Sequence, residues 1–522
     1  MRLQKIPLRV THAFSEFFLS YQEGHESLQP YYSHFPTIEN FGTQIKDKSN
    51  SFPVATRKVL VDTLNRQYAH IPNPSEPVIK NIEALSKKNS FTVTTGHQLN
   101  IFTGPLYFIY KIVTVINACK KLKARFPENN FIPVYWMASE DHDYEEIKSF
   151  RLYGKKYTWE TKQEGAVGMF NTKEIQDILQ QLPGDASLFK EAYLKNPLLS
   201  DAVRQYVDTL FGQEGLVVVD ANDPALKHLF QNVIQDDLFS GTPNKLVSET
   251  NDQLKANGHH PQVNPREINF FYLDKSLRSR IEKKGDEFSV VDTNLKFSKK
   301  EVEKKIQEHP EVFSPNVMLR PLYQEMILPN LAYIGGPAEL VYWLELKSMF
   351  THFAIPFPIL MPRNFALVVD KPVSRKLART GLEVQDFFEE KNYLFNHWVA
   401  QNSTHDLSLG AAMKTLEKML AEIQERCAAI DATLGPMAKA ESTRMHAALE
   451  KIEKKMMRAE KRLHEDRLRQ IGDVKDYLFP NGGLQERTDN FLNFYQQDPA
   501  FINKLLDALD PFDFSFNVLT YE

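Results

Sequence analysis

Cysteine is scarce: the 522 residues include only Cys119 and Cys427. Both fall at apolar positions of expected helices, so neither a disulfide framework nor a permanent zinc cluster is expected. No run reaches the about 18 apolar residues that a membrane-spanning helix needs. The opening segment MRLQKIPLRVTHAFSEFFLSY has no continuous apolar stretch of the kind found in a secretory leader. A cytoplasmic location is therefore expected, with no membrane partner. A one-sided charge is also missing. The net charge of −4 creates no field that calls for nucleic acid or an anionic surface. Neither a Walker A loop nor a GxGxxG fingerprint occurs, so standard dinucleotide binding is unsupported.

The richest stretch runs from Phe91 to Phe150. The β-branched run FTVTT (Phe91–Thr95) breaks into GHQLNIFTGP and then the apolar helix LYFIYKIVTVINACKKLK. A second strand, FIPVYWMAS, ends on Glu140, Asp141, His142 and Asp143. A βαβ unit puts the carboxyl ends of both strands on one rim of a parallel sheet. His97, the helix start near Gly104 and the EDHD cluster should then share an acidic crevice of an α/β fold.

Elsewhere the pattern is mixed. The first 90 residues read as a helical, loop-rich lead-in. SFRLYGKKYTWET (Ser149–Thr161) reads as a hairpin, and LVVVDAND (Leu216–Asp223) as a buried strand ending on acids. IPFPILMPRNFALVVD (Ile355–Asp370) reads as a strand with its continuation. The core is expected over 1–375, with insertions at about 150–215 and 240–330. A helical arm is expected over 376–474, and a segment over 475–522 that returns to the core sheet. Met413, Leu416, Leu420, Ile423, Cys427, Ile430 and Leu434 repeat at alternating spacings of three and four, as in a coiled coil. Gly435-Pro436 should break this seam. A second seam follows through Ala438, Met445, Leu449, Ile452, Met456, Ala459 and Leu463. The pair predicts an antiparallel hairpin whose second arm, Pro436 to Gly472, spans roughly 55 Å. So thin an arm must pack on another copy or project, and a homodimer is the expectation. The basic face Glu453–Arg469 interleaves acids with bases, which favours a solvated coiled-coil surface over nucleic acid.

The candidate chemistry gathers at three junctions. Thr103-Gly104-Pro105 reads as an N-capped helix start whose N–H groups can attract an anion, with Lys111 two turns in. His97 follows a strand and Gly96; it is either a structural histidine or a group that stabilises charge in transfer. In EDHD, close carboxylates can raise one another's pKa to make a general base, or hold Mg²⁺, or merely cap the helix from Tyr144. AYIGGPAE, with Tyr333, Gly335, Gly336, Pro337 and Glu339, repeats the logic of the TGP turn. Arg320 and Arg363 can each meet an anion or close a core ion pair.

These blocks together resemble one family. TGHQLNIFTGPLYFIYK, PVYWMASEDHDYEEI, RPLYQEMILPNLAYIGGPAEL, MPRNFALVVD and RAEKRLHEDRLRQI with LFPNGGLQER occur in family order along the chain. The resemblance is to the cysteine-adding enzyme, or cysteine ligase, of bacillithiol biosynthesis. It implies a Rossmann-like parallel-sheet core similar to nucleotidylyltransferases and class I aminoacyl-tRNA synthetases, with connecting insertions and a dimerising antiparallel coiled-coil arm. It implies joining of cysteine to glucosaminyl-malate, with ATP and Mg²⁺ as candidate cofactors. The expected catalytic groups are His97, Asp141, His142 and Asp143. Expected binding groups are Gly96, Gln98, Thr103, Gly104, Tyr107, Lys111, Glu140, Tyr333, Gly335, Gly336, Glu339 and Arg363. GHQLNIFTGP only loosely echoes the synthetase HIGH signature, and no KMSKS-like loop is present, so activation by adenylation follows from fold likeness alone. A metal-dependent hydrolase built on EDHD and an inert dimeric scaffold are the rival readings.

Overall fold

The computed structural model describes residues 1–521. Its centre is a five-stranded, all-parallel sheet. The spatial order is Ile359–Pro362, Asn330–Gly335, Ser90–His97, Asn130–Met137, Val217–Asp220. Every residue of Ser90–His97 is buried, as a strand covered on both faces requires. The helix Tyr107–Arg125 makes the crossover from this strand to Asn130–Met137. It buries Ile109, Ile112, Val113 and Ile116 on one side and Val115, Ala118, Cys119 and Leu122 on another, which is why its sequence is apolar nearly all round.

The strand order reverses between Ser90–His97 and Asn330–Gly335. That is the topological switch point, where open α/β sheets bind ligands. The register puts His97 beside Met137, and Met137 beside Asp220, so three strand ends form one rim.

Three further sheets accompany this core. Arg2–Ile6 pairs antiparallel with Phe516–Thr520, which pairs parallel with Phe365–Val369. This corrects two expectations. The C-terminal tail joins this three-stranded sheet and not the parallel one. Phe365–Val369 does not continue Ile359–Pro362, because the chain changes sheets at Arg363-Asn364. The inserted region forms a five-stranded antiparallel sheet, ordered Lys296–Ser298, Glu287–Val290, Leu277–Lys284, Phe270–Asp274, Phe313–Pro315. The hairpin Ser149–Leu152 and Lys155–Thr158 turns at Tyr153-Gly154, both at positive φ.

The arm pairs Gly410–Ile430 with Leu434–Leu463. The reversal lies at Asp431–Thr433, and Gly435-Pro436 sits within the first turn of the second helix, where proline costs nothing. The second helix also stops sooner than expected. It ends at Leu463, and a new helix, Glu465–Leu478, packs back on Lys371–Thr380. The 30 residues of Leu434–Leu463 make an arm of about 45 Å. Within the hairpin Leu420 is buried, whereas Met419, Ile423, Ile430, Met437, Met445 and Ile452 form an exposed apolar set. Among the described residues no helix is long and apolar enough to cross a membrane.

Candidate active site at the switch point of the parallel sheet

A cavity of about 830 Å³ opens at the carboxyl ends of the strands. The end of Ser90–His97 contributes Gly96 and His97, and Gln98 follows. The crossover helix adds Tyr107 and Lys111, and the EDHD turn adds Glu140 and Asp141. Tyr333, Gly336 and Glu339 come from the second glycine junction, with Arg363 beside them. Gly96 is needed for close approach: a Cβ there would lie 3.1 Å from the Tyr333 hydroxyl.

His97 is packed against the rings of Phe108 and Tyr107. Asn100 Nδ2 lies 3.4 Å from its Nε2. Burial, reinforced by the nearby charges of Lys111 and Arg363, lowers its pKa from 6.5 to about 3. The imidazole is therefore neutral in the physiological range. The unfolded chain binds a proton that native His97 refuses. This group's contribution to stability is thus fully present above pH 6.5 and is lost as pH falls toward 3. Denaturant midpoints measured across that window should fall less steeply in His97→Gln than in the parent chain; equal slopes would contradict the assignment.

Lys111 Nζ reaches Glu339 Oε2 at 2.6 Å and the carbonyl of Gly96 at 2.7 Å. Glu339 also accepts from the Tyr333 hydroxyl at 2.8 Å and from Gly336 N–H at 2.7 Å. Burial opposes its charge, but Lys111 and these donors outweigh that and hold Glu339 below the usual carboxylate range. The ion pair ties the crossover helix to the second glycine junction, so the two sides of the switch point are fixed relative to one another.

The EDHD turn differs from its expected form. Glu140 is held by the buried Lys227 at 2.8 Å. Asp141 accepts from Gln98 Nε2 at 2.9 Å and from the His142 N–H at 2.8 Å. Arg278, on the inserted sheet, lies 3.6 Å from Asp141 and 2.6 Å from His142 Nδ1. Burial pushes Asp141 up, but hydrogen bonds from His142 and Gln98 and the charge of Arg278 prevail and hold it well below the carboxylate range. The expected mutual raising of carboxylate pKa values does not occur at Asp141, because cations separate the acids. His142 and Asp143 are exposed and do not line the cavity. Among the described residues, no group of three or more His, Cys, Asp or Glu side chains is arranged to hold a metal ion. Glu140 and Asp141, already engaged, do not offer Mg²⁺ a ready site.

The TGP turn is a second correction. Helix Tyr107–Arg125 starts after Leu106, and Thr103 does not cap it. Phe102, Thr103 and Gly104 all have positive φ, a strained run held by its surroundings. Asn490 Nδ2 donates to the carbonyls of Phe102 and Gly104, each at 2.7 Å, and Leu106 N–H donates to Asp489 O. The C-terminal segment therefore covers this helix start. Thr103 and Gly104 are buried away from the cavity, and Gly335 does not line it either. Asparagine 490 lies too far along the chain for any local pattern to disclose the contact.

The crevice is also not acidic. Arg266, Arg278, Arg280, Arg320, Arg363 and Arg487 join Lys111 around it, against Glu140, Asp141, Glu146 and Glu339. Arg278 and Arg280 arrive on the inserted sheet, where nothing in the local sequence marks them. Arg487 lies in LFPNGGLQER, a block that the family resemblance already contained. Glu146 has no hydrogen-bond or ion-pair partner among the described residues. Arg363 is committed to a buried pair with Glu486, at 2.5 Å.

This geometry agrees with comparisons of the chain to known proteins. The family profile described as bacillithiol biosynthesis BshC, N-terminal Rossmann-like domain, matches residues 1–364. The BshC C-terminal coiled-coil domain profile matches 366–521, so the two meet where the chain changes sheets. A protein of Cytophaga hutchinsonii is 40% identical over 520 residues, covering 100% of this chain and 99% of its own. One of Flavobacterium johnsoniae is 41% identical over 518 residues, covering 97% of each. Both bear the name "Putative cysteine ligase BshC". With a cation-rich crevice at the switch point of a Rossmann-like sheet, a helical arm, and both domain profiles matched in order, the chain belongs to the BshC family of bacillithiol biosynthesis and is a ligase.

Proposed function

We propose that this ligase joins the carboxyl of cysteine to the amine of glucosaminyl-malate, giving bacillithiol, through an activated cysteine carboxyl. ATP is the proposed activating co-substrate, and Mg²⁺ arrives on its phosphates and not on EDHD. The observation that carries the reading is the arginine-lined cavity at the switch point. Its expected occupants are anionic: a triphosphate, a dicarboxylate and an amino-acid carboxylate all gain from such a field.

In the bond-forming step the amine lone pair attacks the activated carbonyl carbon. The C–N bond forms, the activating group departs with its bonding electrons, and the amine sheds a proton. His97, neutral and preoriented, supports the developing oxyanion by hydrogen bonding. Asp141 stays charged at neutral pH and serves better as a counter-charge for the amine than as its base. Glu146, unpartnered at the cavity wall, is the proposed proton acceptor. Cys119 takes no part: it is buried in the apolar packing beside Val115 and Leu122, and burial pushes its thiol pKa far up.

A thermal-shift series with ATP, cysteine and glucosaminyl-malate tests the reading against the inert-scaffold alternative, since a ligand stabilises the state that binds it. The melting point should rise with each ligand; a flat response to all of them favours the scaffold.

The same reading makes the protein a homodimer through its arm. The exposed set containing Ile423, Ile430 and Ile452 is too apolar for a surface that stays in water. Ile423→Glu with Ile452→Glu should convert a dimer to a monomer in sedimentation at micromolar concentration. Leu420→Glu should instead damage the hairpin itself, because Leu420 faces its inner seam. A parent chain that sediments as a monomer contradicts the dimer.

A further inference from the structure

Arg320 differs from the cavity cations that already hold an acid. Arg363 and Lys111 each hold a carboxylate, Arg278 has Ser314, Pro315 and the EDHD turn, and Arg280 reaches Glu282 at 3.9 Å. Arg320 has no acidic partner within salt-bridge distance. Its guanidinium carbon lies 5.5 Å from the ring centre of Tyr333 and 5.8 Å from those of Trp136 and Trp343. Aromatic rings stabilise the charge but accept none of the in-plane N–H bonds. In that plane Nη1 donates to Gln324 Oε1 at 3.0 Å, the neighbouring Tyr342 hydroxyl also interacts with the guanidinium, and Nη2 is buried with no partner at full hydrogen-bonding distance. A buried guanidinium donor left unsatisfied at the wall of a cavity calls for an explanation.

The support behind Arg320 is unusually complete. Gln324 Nε2 donates to Glu325 Oε1 at 3.0 Å, and Asn330 Nδ2 donates to the same oxygen at 2.6 Å. Lys48 Nζ meets Glu325 Oε2 at 3.1 Å. Thr92 and Thr94, on the central strand, donate to Asn330 Oδ1 at 3.1 and 2.8 Å. Gln324, Glu325, Lys48 and Asn330 are all buried. This chain of bonds starts in the sheet and ends on the Gln324 oxygen that fixes Arg320.

We infer that Arg320 is the carboxylate-recognition residue of the cavity, its unsatisfied edge reserved for a carboxylate of one of the two small substrates, and that Gln324 is its positioning residue. The inference rests on the substrate reading above. The shared chemistry is a planar carboxylate, which a guanidinium edge matches and an ammonium does not. Two sources fit: the cysteine carboxyl and the malyl group.

Calorimetric titration distinguishes them. L-cysteine, L-malate and glucosaminyl-malate are titrated, with and without a non-hydrolysable ATP analogue, into the full chain and into Arg320→Lys and Gln324→Leu. Arg320→Lys keeps the charge and loses the fork, so Kd should rise about tenfold or more for one carboxylate source and stay within about twofold for the other. Gln324→Leu should raise the same Kd by a smaller factor, although Gln324 touches no ligand, whereas a purely structural role would shift the melting point and leave the ratio of the two affinities unchanged. A change confined to cysteine assigns the amino-acid carboxyl; a change in malate and glucosaminyl-malate together assigns the malyl group. Should Arg320→Lys not fold, Gln324→Leu carries the test alone. Folded variants that bind every ligand as the parent does, or lose all of them equally, overturn the inference while leaving the ligase reading intact. A parent chain that binds none of the three overturns both.

Discussion

Turnover in bacillithiol formation should fall roughly a hundredfold or more in His97→Ala and in Asp141→Asn, the usual cost of removing one oxyanion donor or one group that handles the reacting proton or charge. The two losses have different origins. His97 is neutral and wedged between Phe108 and Tyr107, so alanine removes the proposed oxyanion donor at the rim of the central strand. Asparagine at 141 keeps the shape and one acceptor but removes the charge that Arg278 and Gln98 hold in place. Cys119→Ala should remain near the parent rate. Each variant is first checked for an unchanged melting transition. Full activity in both site variants, with a dead Cys119→Ala, would replace this chemistry with a thiol relay.

The second large effect is on stability. Arg363 and Glu486 form a fork of 2.5 and 2.9 Å, with side chains only 2% and 1% exposed. The pair joins the end of the parallel sheet to the C-terminal segment, and Glu486 also accepts from Ala366 N–H. Arg363→Met strands a buried carboxylate, which costs about 3–5 kcal/mol. Pairing it with Glu486→Gln removes both charges and should restore most of that loss, because two uncharged side chains carry no desolvation debt. Denaturant unfolding of the single and double variants decides the matter. A single variant as stable as the parent, or a double variant as weak as the single, contradicts this account of the junction.

Much of the core was readable from local pattern. FTVTT, FIPVYWMAS and LVVVD are short apolar or β-branched runs, and each forms a strand of the parallel sheet. SFRLYGKKYTWET forms its expected hairpin for the same reason: the signal and the structure lie in the same few residues. What was missed depends on partners distant in sequence. RLQKI at the start of the chain is too polar to announce a strand, and it becomes one by pairing with Phe516–Thr520. The TGP turn has the composition of a helix cap, yet Asn490 and Asp489 bind the backbone there instead. EDHD is acidic as written, but Lys227 and Arg278 neutralise it from other elements. The heptad reading found the arm but set its turn at Gly435-Pro436 and its end at Gly472, whereas the backbone reverses at Asp431–Thr433 and the second helix stops at Leu463; glycine and proline mark a break in composition and are tolerated in a helix's first turn.

The central claim, that this cavity makes an amide between cysteine and glucosaminyl-malate, is tested most directly by incubating the purified chain with both substrates and ATP. Mass spectrometry then follows the thiol and nucleotide products together. The account predicts bacillithiol in step with nucleotide cleavage, AMP marking adenylation and ADP marking phosphorylation. Nucleotide and both substrates recovered unchanged, from folded protein that binds them, would contradict it.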